Sequence, residues 1–228
     1  MCGRYTNTAS PARLAARFSV ADVPDEGTRR FNVAPTDPVL ALVAREERLE
    51  PRLLRWGLIP HWSRDARGAA RMINARAESV AERPAYRTLL ADRRQRCLVV
   101  ADGYYEWLKA EDRSRPRLPM YFSLEDGEPF AFAGLWTTWR SPEDERVVSA
   151  TILTTRANPV AAQIHDRMPV ILPGPEQWSE WLHGDLDGDR LARLAQPLEP
   201  SRLNVRRANP LVNSVRNDGP ECLEAALA

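Results

Sequence analysis

Proline is the residue type that most restricts how this chain folds. Nineteen prolines are spread along the 228 residues and outnumber the eleven glycines. Because proline lacks a backbone donor and breaks helices, this distribution favours many short elements over long helices.

Local patterns predict a strand-rich chain. Segments rich in β-branched and aromatic residues predict strands at 39–44, 53–58, 96–101, 104–108, 120–124, 130–136 and 147–155. Helices are predicted at 84–92, 158–165, 175–182 and 189–195, with a further one beginning at Ser10-Pro11. Since strands dominate and helices do not alternate regularly with them, we expect one α+β domain covering residues 2–225.

Charge and cysteine content exclude several classes of protein. A net charge of +1 argues against a strongly basic nucleic-acid-binding protein, and no apolar run reaches the ~20 residues of a membrane helix. The three cysteines, Cys2, Cys97 and Cys222, are too few and too scattered for a disulfide framework or a metal site. We therefore expect a cytoplasmic protein with no metal, no cofactor and no membrane partner. Lys109 is the only lysine, so amine chemistry must use Lys109 or the N-terminus.

Cys2 is the first candidate for chemistry. Removal of Met1 gives a chain that begins with an amine and a thiol on adjacent carbons, and these groups titrate near ~8.0 and ~8.5. Such a 1,2-aminothiol condenses with an aldehyde to an imine, and the thiol then closes a five-membered thiazolidine ring. The alternative is a tolerated cysteine on a frayed terminus.

Asn74 and Arg76 form a second candidate. In an extended chain their side chains share one face. The amide of Asn74 can both accept from an amine and donate to a carbonyl, and the guanidinium of Arg76 matches phosphate oxygens. The alternative is a helix-start capping pattern with a surface arginine.

Glu106 is a third candidate, because it stands between aromatic residues after the tight-turn signal Asp102-Gly103. Strand alternation places Tyr104 and Glu106 on one face. A carboxylate packed against rings loses hydration, which raises its pKa and suits it to general acid–base catalysis. An exposed strand glutamate is the alternative.

His165 is the candidate proton shuttle, since it has charged neighbours of both signs and titrates near neutrality. The alternative is a structural histidine at a helix end. His61 and His183 have less suggestive surroundings, and we expect them to be structural.

Seven blocks in order along the chain together resemble the SRAP family (SOS response-associated peptidases, abasic-site processing proteins). They are MCGRY (1–5), NVAP (32–35), RWGLIP (55–60), INARAE (73–78), ADGYYEW (101–107), AGLW (133–136) and IHDRMP (164–169). VNSVRN (212–217) is similar to the closing motif of the family. The resemblance implies a strand-rich, barrel-like sheet of mixed or antiparallel strands with peripheral helices.

The resemblance also implies an activity: a covalent thiazolidine crosslink between Cys2 and the aldehyde of an abasic site in single-stranded DNA. It assigns positioning of the N-terminal amine to Asn74, proton transfer to Glu106 and assistance at the sugar to His165. The implied protein is a nucleoid-associated monomer when bound to DNA, and it shields the site from strand cleavage. Release of its own Met1 fits the peptidase name.

The implied DNA contacts are Arg4 and Arg76 on phosphates and Pro35 near the DNA path. Trp62 is a candidate stacking platform, whereas we expect Trp56 in the core. Some relatives carry a second tryptophan after the one matching Trp62, where this chain has Ser63.

Two other functions remain open from the residues. One is a thiol hydrolase, in which Cys2 acts with His165 and Glu106 on an amide bond. The other is a non-enzymatic module that binds single strands through arginine and tryptophan. A requirement for the free α-amine separates the crosslinking protein from the hydrolase, and a covalent product separates it from the binding module.

Overall fold

Thirteen strands and four α-helices lie within residues 2–46, 48–108 and 117–224, which the computed structural model describes. The strands are β1 (Arg4–Asn7), β2 (Arg30–Val33), β3 (Pro38–Arg45), β4 (Arg48–Trp56), β5 (Asn74–Arg76), β6 (Arg96–Ala101), β7 (Gly103–Leu108), β8 (Leu118–Leu124), β9 (Phe130–Arg140), β10 (Arg146–Arg156), β11 (Arg167–Pro169), β12 (Ile171–Leu172) and β13 (Leu203–Arg207). The helices are α1 (Pro11–Phe18), α2 (Pro84–Ala91), α3 (Pro175–His183) and α4 (Gly188–Leu194). Met1 and Lys109 lie outside the described residues.

Five of the strands close into a barrel. Strand β10 pairs with β4, and the ring continues through β3, β6 and β9 back to β10. The β10–β4 pairing is parallel and the other four are antiparallel. Strands β5, β11 and β12 extend the barrel at its margin. The predicted α+β class with a barrel-like sheet is confirmed.

A second, five-stranded antiparallel sheet has the order β13-β8-β7-β1-β2. The chain passes into it from the barrel at Asp102-Gly103, between β6 and β7. A Cβ added to Gly103 would lie 2.2 Å from the hydroxyl of Tyr121, so no larger residue fits this bend. The predicted tight turn is replaced by a bend at Asp102, and β6 and β7 do not pair as a hairpin, because β6 stays in the barrel while β7 pairs with β1 and β8.

Two apolar layers hold these sheets. The layer between the barrel and the five-stranded sheet contains Tyr5, Trp56 and Phe132, with Tyr5 edge-on to both other rings. Trp56 is fully buried, as expected, and its indole nitrogen donates to the Ile73 carbonyl at 2.9 Å. The helices pack on the outer face of the barrel, in one apolar cluster with the outward-pointing residues of its strands. The inward-pointing residues of the same strands pack with the second sheet and with Cys2.

The helix predictions hold with one exception. Helix α1 begins after Ser10, whose side chain accepts from the Arg13 amide, and α2, α3 and α4 lie where the sequence predicts them. Residues 158–165 were predicted as a helix but form only the 3-10 turn Ala161–Gln163. Asn158 caps the start of this turn, because its side chain accepts from the Ala161 amide, and the same side chain donates to the Leu198 carbonyl across the fold. None of the helices in the described residues has the length and apolar content that a membrane crossing requires.

The seven predicted strands are all present, and their boundaries differ most at β4. The strands that the sequence does not predict are β1, β2, β5, β11, β12 and β13. Strand β4 begins five residues before the predicted 53–58 segment, because the whole of β3 pairs with it. It ends at Trp56 because Gly57 has φ 121°, a conformation that ends the extended chain.

Candidate functional site

Cys2 lies two residues before the start of β1 and is completely buried. Antiparallel pairing of β1 with β7 brings Arg4 opposite Tyr105 and Tyr5 opposite Tyr104. This register carries the chain before β1 alongside Glu106. Burial is the main cause of a raised pKa of the Cys2 thiol, and the nearby charge of Glu106 raises it further.

Asn74 holds the main chain of Cys2. The Asn74 Nδ2 donates to the Cys2 carbonyl oxygen at 2.7 Å, across 72 positions of sequence. Its Oδ1 is buried and has no hydrogen-bond partner among the described residues. An amide oxygen in that state is an acceptor ready for an N–H group, such as an amine at Cys2.

Strand β5 is what aims Asn74 at Cys2. It pairs in parallel with β10, and Asn74 lies beside Ile152, which belongs to the apolar layer around Cys2. Ala75, one residue on, faces the helix-covered side. The expected sharing of one face by Asn74 and Arg76 follows from the same alternation, and Arg76 is exposed.

Glu106 lies in the middle of β7 and is 5% exposed. Burial raises the pKa of its carboxyl, and a positive charge on His165, present when that ring is protonated, lowers it by a smaller amount. The alternation predicted for this strand is confirmed, since Tyr104 joins the layer containing Cys2 while Tyr105 packs on the other side of the sheet. The alternative of an exposed glutamate is wrong.

His165 is a quarter exposed and lies on the loop that leads into β11. The Arg167 amide donates to its Nδ1 at 3.0 Å. A neutral ring that accepts at Nδ1 carries its hydrogen on Nε2. A carboxylate oxygen of Asp166 lies 2.9 Å from the same Nδ1 and becomes its partner when the ring is protonated. His165 also follows the end of the 3-10 turn Ala161–Gln163, and its amide donates to the Ala161 carbonyl at 2.9 Å, so the alternative of a structural histidine at a helix end stays open.

The four predicted catalytic residues are thus brought together from the segment before β1, from the two strands β5 and β7, and from a loop. The Cys2 carbonyl accepts a hydrogen bond from Asn74, and the negative charge of Glu106 raises the pKa of the Cys2 thiol. A protonated His165 in turn lowers the pKa of Glu106. The structure adds a neutral phenol to this group, since burial raises the pKa of Tyr104 well above its usual range. No group of three metal-ligating side chains occurs within the described ranges.

An ion pair that the sequence did not single out fixes two sides of the site. The guanidinium of Arg167 donates to both carboxylate oxygens of Glu78, at 2.6 and 2.8 Å, and to the Thr154 carbonyl at 2.7 Å. Glu78 follows β5, which carries Asn74, and Arg167 follows His165. Both residues lie within the quoted sequence blocks, which was the available signal, but their pairing spans 89 positions.

Arg4 is tied to the closing segment of the chain. Its Nη1 donates to Asn32 Oδ1 at 2.9 Å and to the Val212 carbonyl at 2.8 Å. Its guanidinium carbon lies 5.8 Å from the centre of the Trp107 ring. These contacts give Arg4 a structural task that the sequence did not indicate, and its phosphate contact stays a prediction.

Pro35 and Trp62 lie apart from this group. Pro35 follows β2 in a turn. Trp62 is 51% exposed and stands edge-on to His61 at 4.7 Å. Its loop is held by a 2.7 Å hydrogen bond from the Trp139 indole to the Ser63 carbonyl. Within the described residues, no hydrogen bond or ring contact joins either residue to Cys2, so their DNA contacts stay predictions.

Comparison with known proteins gives consistent matches over nearly the full length. The family model described as SOS response associated peptidase (SRAP) matches residues 1–215. The abasic site processing protein YoqW of Bacillus subtilis (strain 168) is 37% identical over 228 residues, covering 99% of this chain and 100% of YoqW. The abasic site processing protein YedK of Escherichia coli (strain K12) is 29% identical over 231 residues, covering 98% of this chain and 99% of YedK. The crystal structure of a protein from Bacteroides thetaiotaomicron has a TM-score of 0.84 at 26% identity, covering 99% of this chain and 100% of that one.

Proposed function

Because this chain belongs to the SOS response associated peptidase (SRAP) family, we propose that it processes abasic sites in single-stranded DNA by covalent capture through Cys2. The relatives named above are abasic site processing proteins. The observation that carries the proposal is the environment of Cys2. Its carbonyl accepts a hydrogen bond from Asn74, and the pKa of its thiol is raised by burial and by the charge of Glu106.

Capture begins once Met1 is released by hydrolysis of the Met1–Cys2 peptide bond, which consumes one water. The freed amine of Cys2 attacks the C1′ aldehyde of the ring-opened sugar, and the carbinolamine loses water to give an imine. Asn74 supports this step in two ways, because its Nδ2 fixes the Cys2 main chain and its Oδ1 is a buried acceptor for an N–H group.

The ring closes when the Cys2 sulfur attacks the imine carbon and the thiol proton passes to the imine nitrogen. The product is a thiazolidine, and capture as a whole loses one water. The sulfur attacks as a thiolate, and because burial together with the charge of Glu106 raises the pKa of the thiol, a neighbouring base must take the thiol proton as the ring closes. Glu106 and His165 are the groups available to take and return protons at the sugar oxygen and at the imine.

The raised pKa of the Cys2 thiol does not separate capture from the thiol hydrolase, because the attacking sulfur is a thiolate in both reactions. Asn74 favours capture, since its buried Oδ1, which has no hydrogen-bond partner among the described residues, offers an acceptor for the amine that only capture requires.

Single-stranded DNA is the proposed partner because C1′ of a stacked duplex nucleotide is out of reach of an enzyme side chain. Arg4 and Arg76 are proposed to hold phosphates. Trp62 is proposed as a stacking platform, and its exposed ring suits that role.

The test is incubation with an abasic single-stranded oligonucleotide, followed by denaturing electrophoresis. We expect a denaturant-resistant adduct with the abasic oligonucleotide and none with an intact one of the same sequence. Cys2→Ala should abolish the stable adduct, whereas Cys97→Ala, which removes another completely buried thiol, should retain it. A full yield of stable adduct from Cys2→Ala would overturn the proposal, and equal non-covalent binding of both oligonucleotides would favour a binding module.

A variant that keeps one residue before Cys2, and from which that residue is not cleaved, separates covalent capture from the thiol hydrolase. Thiazolidine formation requires the free α-amine, so we expect no stable adduct from this variant. Retained adduct formation would indicate chemistry at the thiol alone, as in a hydrolase.

A further inference from the structure

Three neighbouring strands place arginines side by side at the margin of the barrel. Arg76 of β5 lies beside Thr154 of β10, and Arg156 at the end of β10 lies beside Arg167 of β11. Side chains alternate along a strand, so Arg156 shares a face with Thr154 and hence with Arg76. That face also carries Asn74, which is two residues before Arg76 on β5 and bonds to Cys2.

The spacing of this row follows from sheet geometry. Adjacent strands lie ~4.8 Å apart and a strand rises ~3.3 Å per residue, so the Cα atoms of Arg76 and Arg156 are separated by about 8 Å. Two long side chains starting at that separation cover one continuous stretch of surface leading away from Cys2.

The arginines of this row differ in whether their charge is already paired with a carboxylate. Arg167 is nearly buried and gives both ends of its guanidinium fork to Glu78, whose pKa is lowered mainly by those hydrogen bonds. Arg156 adds only a small further lowering of the Glu78 pKa. Within the described ranges, neither Arg76 nor Arg156 has an ion pair or a side-chain hydrogen bond, and both are exposed. The acidic side chain near Arg156 is therefore already neutralised by Arg167, which leaves two positive charges facing solvent.

We propose that Arg156 binds a DNA backbone phosphate next to the one held by Arg76, so that the two arginines guide the strand away from Cys2. The inference rests on the proposed function, because the ligand is the same single strand. A guanidinium suits this role through its planar pair of N–H donors. Arg167 supports the row without taking part in it, since its charge is spent on Glu78.

The chain offers a matched control in Arg87. It is exposed, lies on α2 on the outer face of the barrel, and within the described residues has no ion pair. Arg156→Gln and Arg87→Gln therefore remove the same charge from the two sides of the barrel wall. Arg156→Lys keeps the charge and completes the set.

The experiment measures the affinity of each variant for a labelled oligodeoxythymidylate without abasic sites, between about 50 and 200 mM salt. Each phosphate contact on a single strand contributes about 0.7 to the slope of log affinity against log salt. We expect Arg156→Gln to reduce the slope by about 0.7 and to weaken binding about five- to tenfold at low salt. Arg156→Lys should keep the slope, and Arg87→Gln should behave as wild type.

Equal slopes for Arg156→Gln and Arg87→Gln would overturn the inference. Thermal unfolding of both variants shows whether each is folded, and because both side chains are exposed and unpaired we expect unchanged midpoints. Adduct formation by the wild-type protein with abasic DNA is measured in parallel. A missing wild-type adduct contradicts the proposed function, whereas a normal adduct with no slope change contradicts only the role of Arg156.

Discussion

Replacing Glu106 with glutamine should make the protein more stable and less reactive at the same time. The carboxyl is 5% exposed, and burial raises its pKa. The folded state therefore binds a proton at Glu106 more readily than the unfolded chain, in which a glutamate titrates near ~4.3. The free energy of unfolding falls as the pH rises from that value through the raised pKa of the folded state. At a pH above the raised pKa, wild type carries this whole cost, and Glu106→Gln, which is neutral and of the same shape, does not.

The effect on capture has the opposite sign. General acid–base catalysis by a positioned side chain contributes about 10²- to 10⁴-fold in rate, which corresponds to ~3–5 kcal/mol of barrier. We expect Glu106→Gln to slow crosslinking within that range. In wild type the rate should rise with pH as the carboxyl ionises, with a midpoint above ~4.3. The variant should lack this rise.

The assay pairs single-turnover crosslinking on denaturing gels with thermal unfolding at neutral and acidic pH. Glu128→Gln is the control, because Glu128 is a partly exposed glutamate at the surface that pairs with Arg13 at 3.0 Å. The stability gain should shrink as the pH falls towards the pKa of an unfolded glutamate. A variant that loses both melting temperature and rate would show that Glu106 is structural, and an unchanged rate would refute its proton-transfer role.

Three further predictions concern the frame of the site. Asn74→Ala removes the 2.7 Å hydrogen bond that holds the Cys2 carbonyl, and we expect crosslinking about 10²-fold slower with unchanged affinity for intact DNA; an equal loss of affinity would assign Asn74 to binding instead. Arg96 is 3% exposed and donates to the carbonyls of Leu90, Trp181 and Gly184 at 2.8, 3.1 and 2.7 Å. Arg96→Met should therefore lower the free energy of unfolding in urea by about 3–5 kcal/mol. A decrease below ~1 kcal/mol would contradict this. Arg167 lowers the pKa of Glu78, so the stabilisation from this ion pair is present above pH ~4.3 and is lost as the pH falls through the lowered pKa. Glu78→Gln should therefore make the free energy of unfolding depend less on pH in that range. An unaltered pH dependence would show that the pair does not cause it.

Much of the fold is readable from local sequence, and the exceptions have physical causes. Strand β6 has the predicted boundaries 96–101, because a continuous apolar run buried on both faces marks its own ends. Strand β9 continues four residues beyond the predicted end at 136 because β10 pairs with Thr137–Arg140, and that pairing depends on a partner elsewhere in the chain.

The candidate site, like the fold, has one part that the local sequence predicts and one part that it does not. The chemistry of Cys2, Asn74, Glu106 and His165 follows from residue type and motif, and strand alternation predicts which neighbours share a face. Their convergence, and the pairing of Glu78 with Arg167, depend on how β5, β7 and β10 assemble, which no local pattern encodes.

The most direct test of covalent capture through Cys2 is the mass of the adduct and the location of its bonds. After incubation with an abasic oligonucleotide, we expect an intact mass equal to the chain without Met1 plus the oligonucleotide minus one water. Peptide mapping should place the modification on Cys2, with neither its amine nor its thiol reactive towards alkylating reagents, and Cys2→Ala should give an adduct only after borohydride reduction. An adduct located on Lys109, or one whose Cys2 thiol still alkylates, would contradict the account.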